Sequence, residues 1–240
     1  MKGNMKTERK SSRRAEDQHR VPVHHQVYLQ LREAVLFGEF VPGQAVTIKG
    51  LVELTGAGMT PIREAIRRLT SEGALEFRGN RRVVVPTPSG EDLDELLFLR
   101  ETLEPKLAAL AAERVSEQDL NKLEIIDSKL DDAIAQGDVG AYLRRNYAFH
   151  ANLYDIAEAP ILTEITNSLW LRFGPSMRVV CGQVGTRNLP DNHKQALVAL
   201  ASGNTVATAA AIRADIVQGM EQMRAALNQI DSSCESIDSQ

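Results

Sequence analysis

Cysteine is scarce in this chain: two residues in 240, Cys181 and Cys234, stand far apart, the second in a polar tail. That spacing is neither a disulfide framework nor a zinc knuckle, so a reducing cytoplasm is the expected setting. No apolar run reaches the roughly 18 residues of a membrane span, and the basic start lacks the apolar core of a signal peptide, so no membrane partner is expected. There is no His-Glu-x-x-His, no nucleophile elbow and no phosphate-binding loop, which removes the common hydrolase and nucleotide-binding classes. What remains is an ordinary globular composition, 43% hydrophobic and 25% charged, enough for one large domain or two modest ones.

Charge is unevenly shared. Residues 1–88 carry 15 Lys/Arg against 9 Asp/Glu, a net of +6, and residues 89–240 carry 13 against 23, a net of −10. A basic front and an acidic back suit a nucleic-acid module joined to a part that stays off the DNA.

The stretch Val46 to Val85 gives that module a shape. Thr47 to Leu54 reads as a short helix ending in the turn Thr55-Gly56-Ala57-Gly58. Thr60-Pro61 reads as the start of a second helix, with the hydroxyl as cap and proline in the first helical position. Ile62, Ala65, Ile66 and Leu69 recur at the helix period, leaving Arg63, Arg67 and Arg68 off the apolar stripe. Two short helices joined by a glycine-containing turn, the second basic outside, form a helix-turn-helix. Ala74 to Arg78, then Gly79-Asn80-Arg81-Arg82, then Val83 to Val85 read as strand, basic turn and strand, the wing of a winged helix. An amphipathic helix from His25 to Phe37 completes the three-helix core. Double-stranded DNA is therefore the expected partner.

Residues 1–20 are polar and basic and are read as a disordered tail; 21–88 as the winged helix-turn-helix and linker; 89–230 as an all-helical domain; 231–240 as a second disordered tail. Pro86-Thr87-Pro88-Ser89 is the linker, and Ser89 with Asp92 resembles a capping box. Beyond it, helices are expected at about 89–114, 116–136, 138–158, 160–180, 190–202 and 204–229, each break carrying a Gly, Pro or capping residue. The fold class is mainly α: an N-terminal winged helix-turn-helix and a C-terminal antiparallel helical bundle.

The N-terminal block resembles the GntR superfamily of bacterial transcription regulators. The resemblance rests on Leu31-Arg32-Glu33-Ala34-Val35, Gly38 to Gly43, Thr60 to Leu69 and Glu72-Gly73, all in the family's order and spacing. The helical remainder is similar to the FCD subgroup, which carries a FadR-type C-terminal ligand-binding domain. The resemblance implies a homodimer that binds operator DNA and responds to a small carboxylate effector. It implies DNA contacts at Lys49, Thr60, Arg63, Gly79, Asn80 and Arg81; Arg67 is added from its place on the outer face. At Met59 the family commonly has arginine, so an altered sequence preference is expected.

The resemblance also implies a metal site. FCD proteins that bind metal place an Asp or Asn, a His four residues on, and two later histidines; here Asn146, His150 and His193 match the first three, and Asp215 stands at the fourth. Asn, two His and Asp suit a divalent ion, zinc first, with nickel or manganese as alternatives. Against this stands a reading of both histidines as hydrogen-bonded core residues, with Asp215 paired to Arg213 or Arg100. Arg100 occupies a cavity-facing family position, either clamping an organic acid or forming a structural ion pair. Tyr147 and Arg172 are candidate effector contacts, as are Tyr154 and Trp170, though aromatic residues at helical spacing also serve as plain core. The competing functions are a metal-dependent enzyme acting on a small organic acid and a DNA binder with a purely structural bundle.

Overall fold

The computed structural model describes residues 22–79, 82–184 and 191–237. The first helix, α1 (Val23–Leu36), buries Val27, Leu31 and Val35. A two-residue strand, β1 (Ala45–Val46), follows, too short for its alternation to have been read from sequence. Helix α2 (Ile48–Thr55) starts where the Thr47 hydroxyl accepts the Gly50 amide N–H at 3.1 Å, and stops at Gly56, whose φ of 67° glycine adopts freely. Helix α3 (Met59–Ser71) does not begin as the sequence suggests. Its cap is Gly58, without a side-chain hydrogen bond, so Thr60 and Pro61 are its second and third residues. Proline fits there because first-turn N–H groups have no intrahelical acceptor. Strands β2 (Glu76–Arg78) and β3 (Arg82–Val84) form the wing, in an antiparallel sheet of order β1-β3-β2. The turn residues Asn80 and Arg81 lie outside the described residues, as does the N-terminal stretch expected as a basic tail.

The linker prolines then give way to helices. α4 (Gly90–Ala112) opens with a full capping box, Ser89 and Asp92 exchanging hydrogen bonds. α5 (Glu117–Gln136) repeats the device with Ser116 and Asp119 and ends at Gly137, φ 69°. α6 (Val139–Ile156) is capped by Asp138. α7 (Pro160–Val184) starts at the expected proline but continues past Cys181, where a break was expected. α8 (Asn192–Ala201) and α9 (Thr205–Ile237) complete the bundle. α9 runs beyond residue 229, through positions 231–237 expected as tail, because no Gly or Pro interrupts the chain between Met220 and Ile237. The protein is a winged helix-turn-helix on a helical bundle, α9 lying along α4 and α8. No helix of the described residues is long and apolar enough to cross a membrane.

The head sits on α7 through contacts that need glycine. A Cβ at Gly174 would fall 2.5 Å from the Leu36 carbonyl oxygen, so only glycine lets the two backbones approach. Arg178 packs on Gly38 and Arg172 on Gly73, both in the left-handed region at φ 66° and 76°. From α6, Arg144 reaches Glu39 at 3.4 Å and lies over the Phe37 ring at 4.7 Å.

Gly174→Ala is expected to cost about 1–3 kcal/mol in chemical unfolding, because the overpacked methyl must displace α1. Gly219→Ala on α9, where a Cβ meets nothing within 4 Å, should be neutral or stabilising by about 0.5–1 kcal/mol. Equal responses of the two variants would refute this account of the joint.

Candidate functional site

Helix α3 divides its arginines. Ile62, Ala65, Ile66 and Leu69 face the core, which turns Thr60, Arg63 and Arg67 outward beside an exposed Met59. Arg63 and Arg67 form no ion pair among the described residues and line a hollow of about 600 Å³ with Thr47, Phe77 and Arg82. Arg68, also exposed, is engaged instead: it pairs with Glu72 at 3.0 Å and lies 3.7 Å over the Tyr28 ring. Burial and the hydrogen bond to Glu72 push the Tyr28 hydroxyl up to about 12, so it stays a donor. On α2, Lys49 is solvent-exposed and 3.9 Å from Glu53, and Gly79 is exposed at the wing. Two members of this face were absent from the predicted site: Arg82, the next residue of the basic turn, and Phe77, 59% exposed on β2.

The second constellation lies inside the bundle. α6 carries Asn146 and His150 on one face, α8 carries His193 and α9 carries Asp215. His150 Nε2 is 3.1 Å from Asp215 Oδ2, and His193 Nε2 is 3.7 Å from Asp215 Oδ1. Ligand atoms of these three residues all fall within 4.8 Å of one another. Asn146 is buried and lines the adjoining cleft. The ion pairs that would have drawn Asp215 away are absent: Arg213 pairs with Glu101 at 3.0 Å, and Arg100 with Glu104.

Each imidazole also has a carboxylate behind it. Glu104 Oε2 is 3.4 Å from His150 Nδ1, and Asp127 Oδ1 is 3.4 Å from His193 Nδ1. Such second carboxylates orient metal-ligating imidazoles and raise their basicity. His193 stacks on Phe149 at 4.0 Å, and its buried Nε2 has no hydrogen-bond partner among the described residues. Burial lowers the basicity of His150, but hydrogen bonds to Asp215 and Glu104 outweigh it and lift the imidazole to about 9. Burial likewise pushes Asp215 up, and the neighbouring His193 and His150 overcome it and hold the carboxyl at about 2. Metal ligation requires His150 to shed its proton. Two imidazoles, a carboxylate and an amide form a donor set that fits a divalent ion. Sequence reasoning missed Glu104 and Asp127, although Asp127 falls on the apolar stripe of Leu123, Ile126 and Leu130, a place where a carboxylate signals a buried partner.

Of the predicted effector residues, Trp170 and Tyr154 lie beside the His150 ring, at 5.3 and 6.2 Å between ring centres, and Arg100 pairs with Glu104 behind it, whereas Tyr147 and Arg172 face elsewhere. Arg100 is buried, held by Glu104 at 2.5 Å and lying over Phe173 at 4.1 Å and Trp170 at 4.9 Å. Tyr154 donates to Glu104 at 2.5 Å and accepts from Trp170 Nε1 at 3.1 Å, as core. Tyr147 is one position past Asn146 on α6, hence turned about 100° from the His150 face. It donates instead to Asn167 at 3.0 Å. Arg172 rests on Gly73 of the head. Tyr147 and Arg172 share a different hollow, between head and bundle.

Comparison with known proteins gives two family matches. The gntR family of bacterial regulatory proteins matches residues 24–85, and the FCD domain matches residues 95–218. The HTH-type transcriptional regulator McbR of Escherichia coli (strain K12) is 32% identical over 167 residues, 70% of this chain and 76% of that protein. The HTH-type transcriptional regulator LutR of Bacillus subtilis (strain 168) is 24% identical over 201 residues, 75% of this chain and 91% of that one. The solved structure of E. coli McbR/YncC superposes with a TM-score of 0.77 at 30% identity, covering 88% of this chain and 99% of its own. A putative transcriptional regulator from Rhodococcus sp. RHA1 shares the fold, with a TM-score of 0.69 at 21% identity over 84% of this chain and 97% of its own.

The raised His150 makes stability depend on pH. Its proton is bound more tightly in the fold than in the unfolded chain, so the stabilisation is complete below pH 6.5 and is lost as pH rises through about 9. In chelator-treated protein the melting temperature should fall across that window, and His150→Gln should flatten the fall. A slope unchanged in the variant would dismiss His150 as its source.

Proposed function

The chain belongs to the gntR family of bacterial regulatory proteins, with an FCD domain behind its DNA-binding head, and on that footing we propose that it binds operator DNA as a homodimer and senses a small carboxylate metabolite. The observation that carries the DNA half of this reading is the outer face of α3, where Arg63 and Arg67 stand exposed, without an ion pair among the described residues, beside Arg82 of the wing. A helix of this kind enters the major groove, where a guanidinium reads guanine bidentately, and Lys49, Thr60 and the wing around Gly79, Asn80 and Arg81 meet the backbone or the minor groove. A second copy brings a second head to the other half-site of a pseudo-palindrome.

Support for the sensory half comes from the bundle. His150, His193 and Asp215, with Asn146 beside them, would hold a divalent ion, zinc first and nickel or manganese as alternatives. Such an ion supplies Lewis acidity and a strong local positive charge. This chain's own residues do the rest: Glu104 and Asp127 stand 3.4 Å behind the two rings, and α7 connects the bundle core to the head. An effector that binds one pose of the heads better than another changes operator affinity by that difference in affinity alone. The named relatives are transcription regulators, and nothing in this reading requires turnover.

Operator duplex selected from a random library serves for the test. Arg63→Ala should cost about 1–3 kcal/mol and relax preference at one base pair, whereas Lys49→Ala should weaken all duplexes alike and lower the salt slope by about 1. Arg63→Ala without effect on affinity or preference would remove α3 from the groove. For the metal, about one divalent ion per chain in protein purified without a tag or chelator, absent from His150→Ala, is the expected outcome. Equal metal content in the two forms would sink the assignment.

A further inference from the structure

Helix α3 starts at Met59, two residues ahead of the start that Thr60-Pro61 suggests. That extra length places Met59 one turn before Arg63, rotated from it by only about 40° about the axis, with Arg67 another turn on. Met59 is 61% exposed, and among the described residues of α3 it is the one apolar side chain left in solvent. Its neighbours on the outer face are Thr60, Arg63 and Arg67, and Glu64, the acid nearest in sequence, lies about 140° round the axis from it. The approach to this end of the helix is open, since a Cβ built at Gly58 would meet nothing within 4 Å.

A single exposed apolar residue is ordinary on a protein surface, but the first residues of a recognition helix are those that meet base edges. Arg63, Arg67 and Arg82 line one hollow, so a polyanion drawn to them presents its groove to the outer face of α3, Met59 included. What Met59 can do there is limited by its chemistry. A thioether has no proton to donate and accepts only weakly. Against guanine it would cover the N7 and O6 acceptors without answering them, and to the amino groups of adenine or cytosine it offers only a poor acceptor. Thymine alone presents an apolar group in the major groove, its 5-methyl. The flexible, polarizable side chain of methionine adapts well to such a contact.

Resting on the reading of α3 as a major-groove helix, we propose that Met59 reads the 5-methyl group of a thymine in each half-site, close to the guanine taken by Arg63. Four residues of helix rise about 6 Å and successive base pairs about 3.4 Å, so the two bases lie within about two pairs of each other. One helix face then carries two readers of opposite character. Arg63 supplies paired hydrogen bonds to an acceptor edge, whereas Met59 favours a methyl group and disfavours an acceptor left bare.

For the test, operator duplex selected from a random library is re-made with each thymine replaced in turn by deoxyuridine, which removes the methyl and keeps the base pairing. Affinities are read by fluorescence anisotropy for the unaltered full chain, Met59→Ala, Met59→Gln and Arg63→Ala. Loss of contact with one methyl should weaken the unaltered chain by about three- to fivefold at one thymine per half-site. Both Met59 variants should bind the thymine and deoxyuridine duplexes alike at that position and keep the preference for guanine. Glutamine matches methionine in length, so it separates apolar contact from reach, and the exposure of Met59 leaves the core untouched by either change. No sensitive thymine near the guanine located by Arg63→Ala, or one whose sensitivity survives in either Met59 variant, overturns the proposal and leaves the groove reading standing. Arg63→Ala with unchanged affinity and preference, or a library that yields no duplex, overturns the groove reading and this proposal with it.

Discussion

A carboxylate with no access to water has to be answered by its neighbours, and Glu104 is such a group. It is fully buried, and burial by itself would push it up; Arg100 leads the groups that pull it back to about 2, with His150 beside it. Tyr154 donates to the same oxygen that faces His150. These partners come from two helices, α4 and α6, and the rings against which Arg100 lies come from a third, α7. A buried ion pair of this kind adds little net stability over an apolar core, but removing one member leaves a charge stranded. What it contributes here is geometry: it sets the ring of His150, and through that ring the approach of Asp215 on α9.

The charge asymmetry between head and bundle acquires a structural meaning at the joint. The bundle, though acidic in total, sends Arg144, Arg172 and Arg178 toward the head. The head in turn sorts its own arginines on α3: Arg68 is drawn to Tyr28 and Glu72, and Arg63 and Arg67 stay exposed, with no ion pair among the described residues. One helix thus serves the joint with one edge and solvent with the other.

Much of this was legible beforehand because it is local. Gly56, Gly137, Ser89, Ser116 and Pro160 announce helix ends through chemistry that needs no tertiary partner, and the bundle helices fall close to where those signals put them. Thr60 misled because both it and Pro61 are acceptable two residues further into a helix, and propensity does not fix the first residue. α9 outran its expected end because a polar stretch without a breaker can stay helical. The His150, His193 and Asp215 cluster came from a resemblance in spacing across three helices, which no single-helix pattern reveals. Arg100, Tyr147 and Arg172 were grouped as one set because sequence distance says nothing about which neighbour covers a helix face; in the fold Arg100 is core and the other two belong to the head–bundle crevice.

Helix α7 carries Trp170 and Phe173, which close over Arg100, and also Arg172 and Arg178, which rest on the head. Trp170 and Arg172 are two residues apart, an axial rise of about 3 Å, and Arg178 is about 12 Å from Trp170 along the axis. Trp170 and Arg172 thus fall within one turn of the same helix, so the ring that settles against Arg100 and the guanidinium that settles on Gly73 cannot choose their positions independently. Arg178, by contrast, lies beyond Gly174 and Pro175, where the helix has given up a hydrogen bond and can bend.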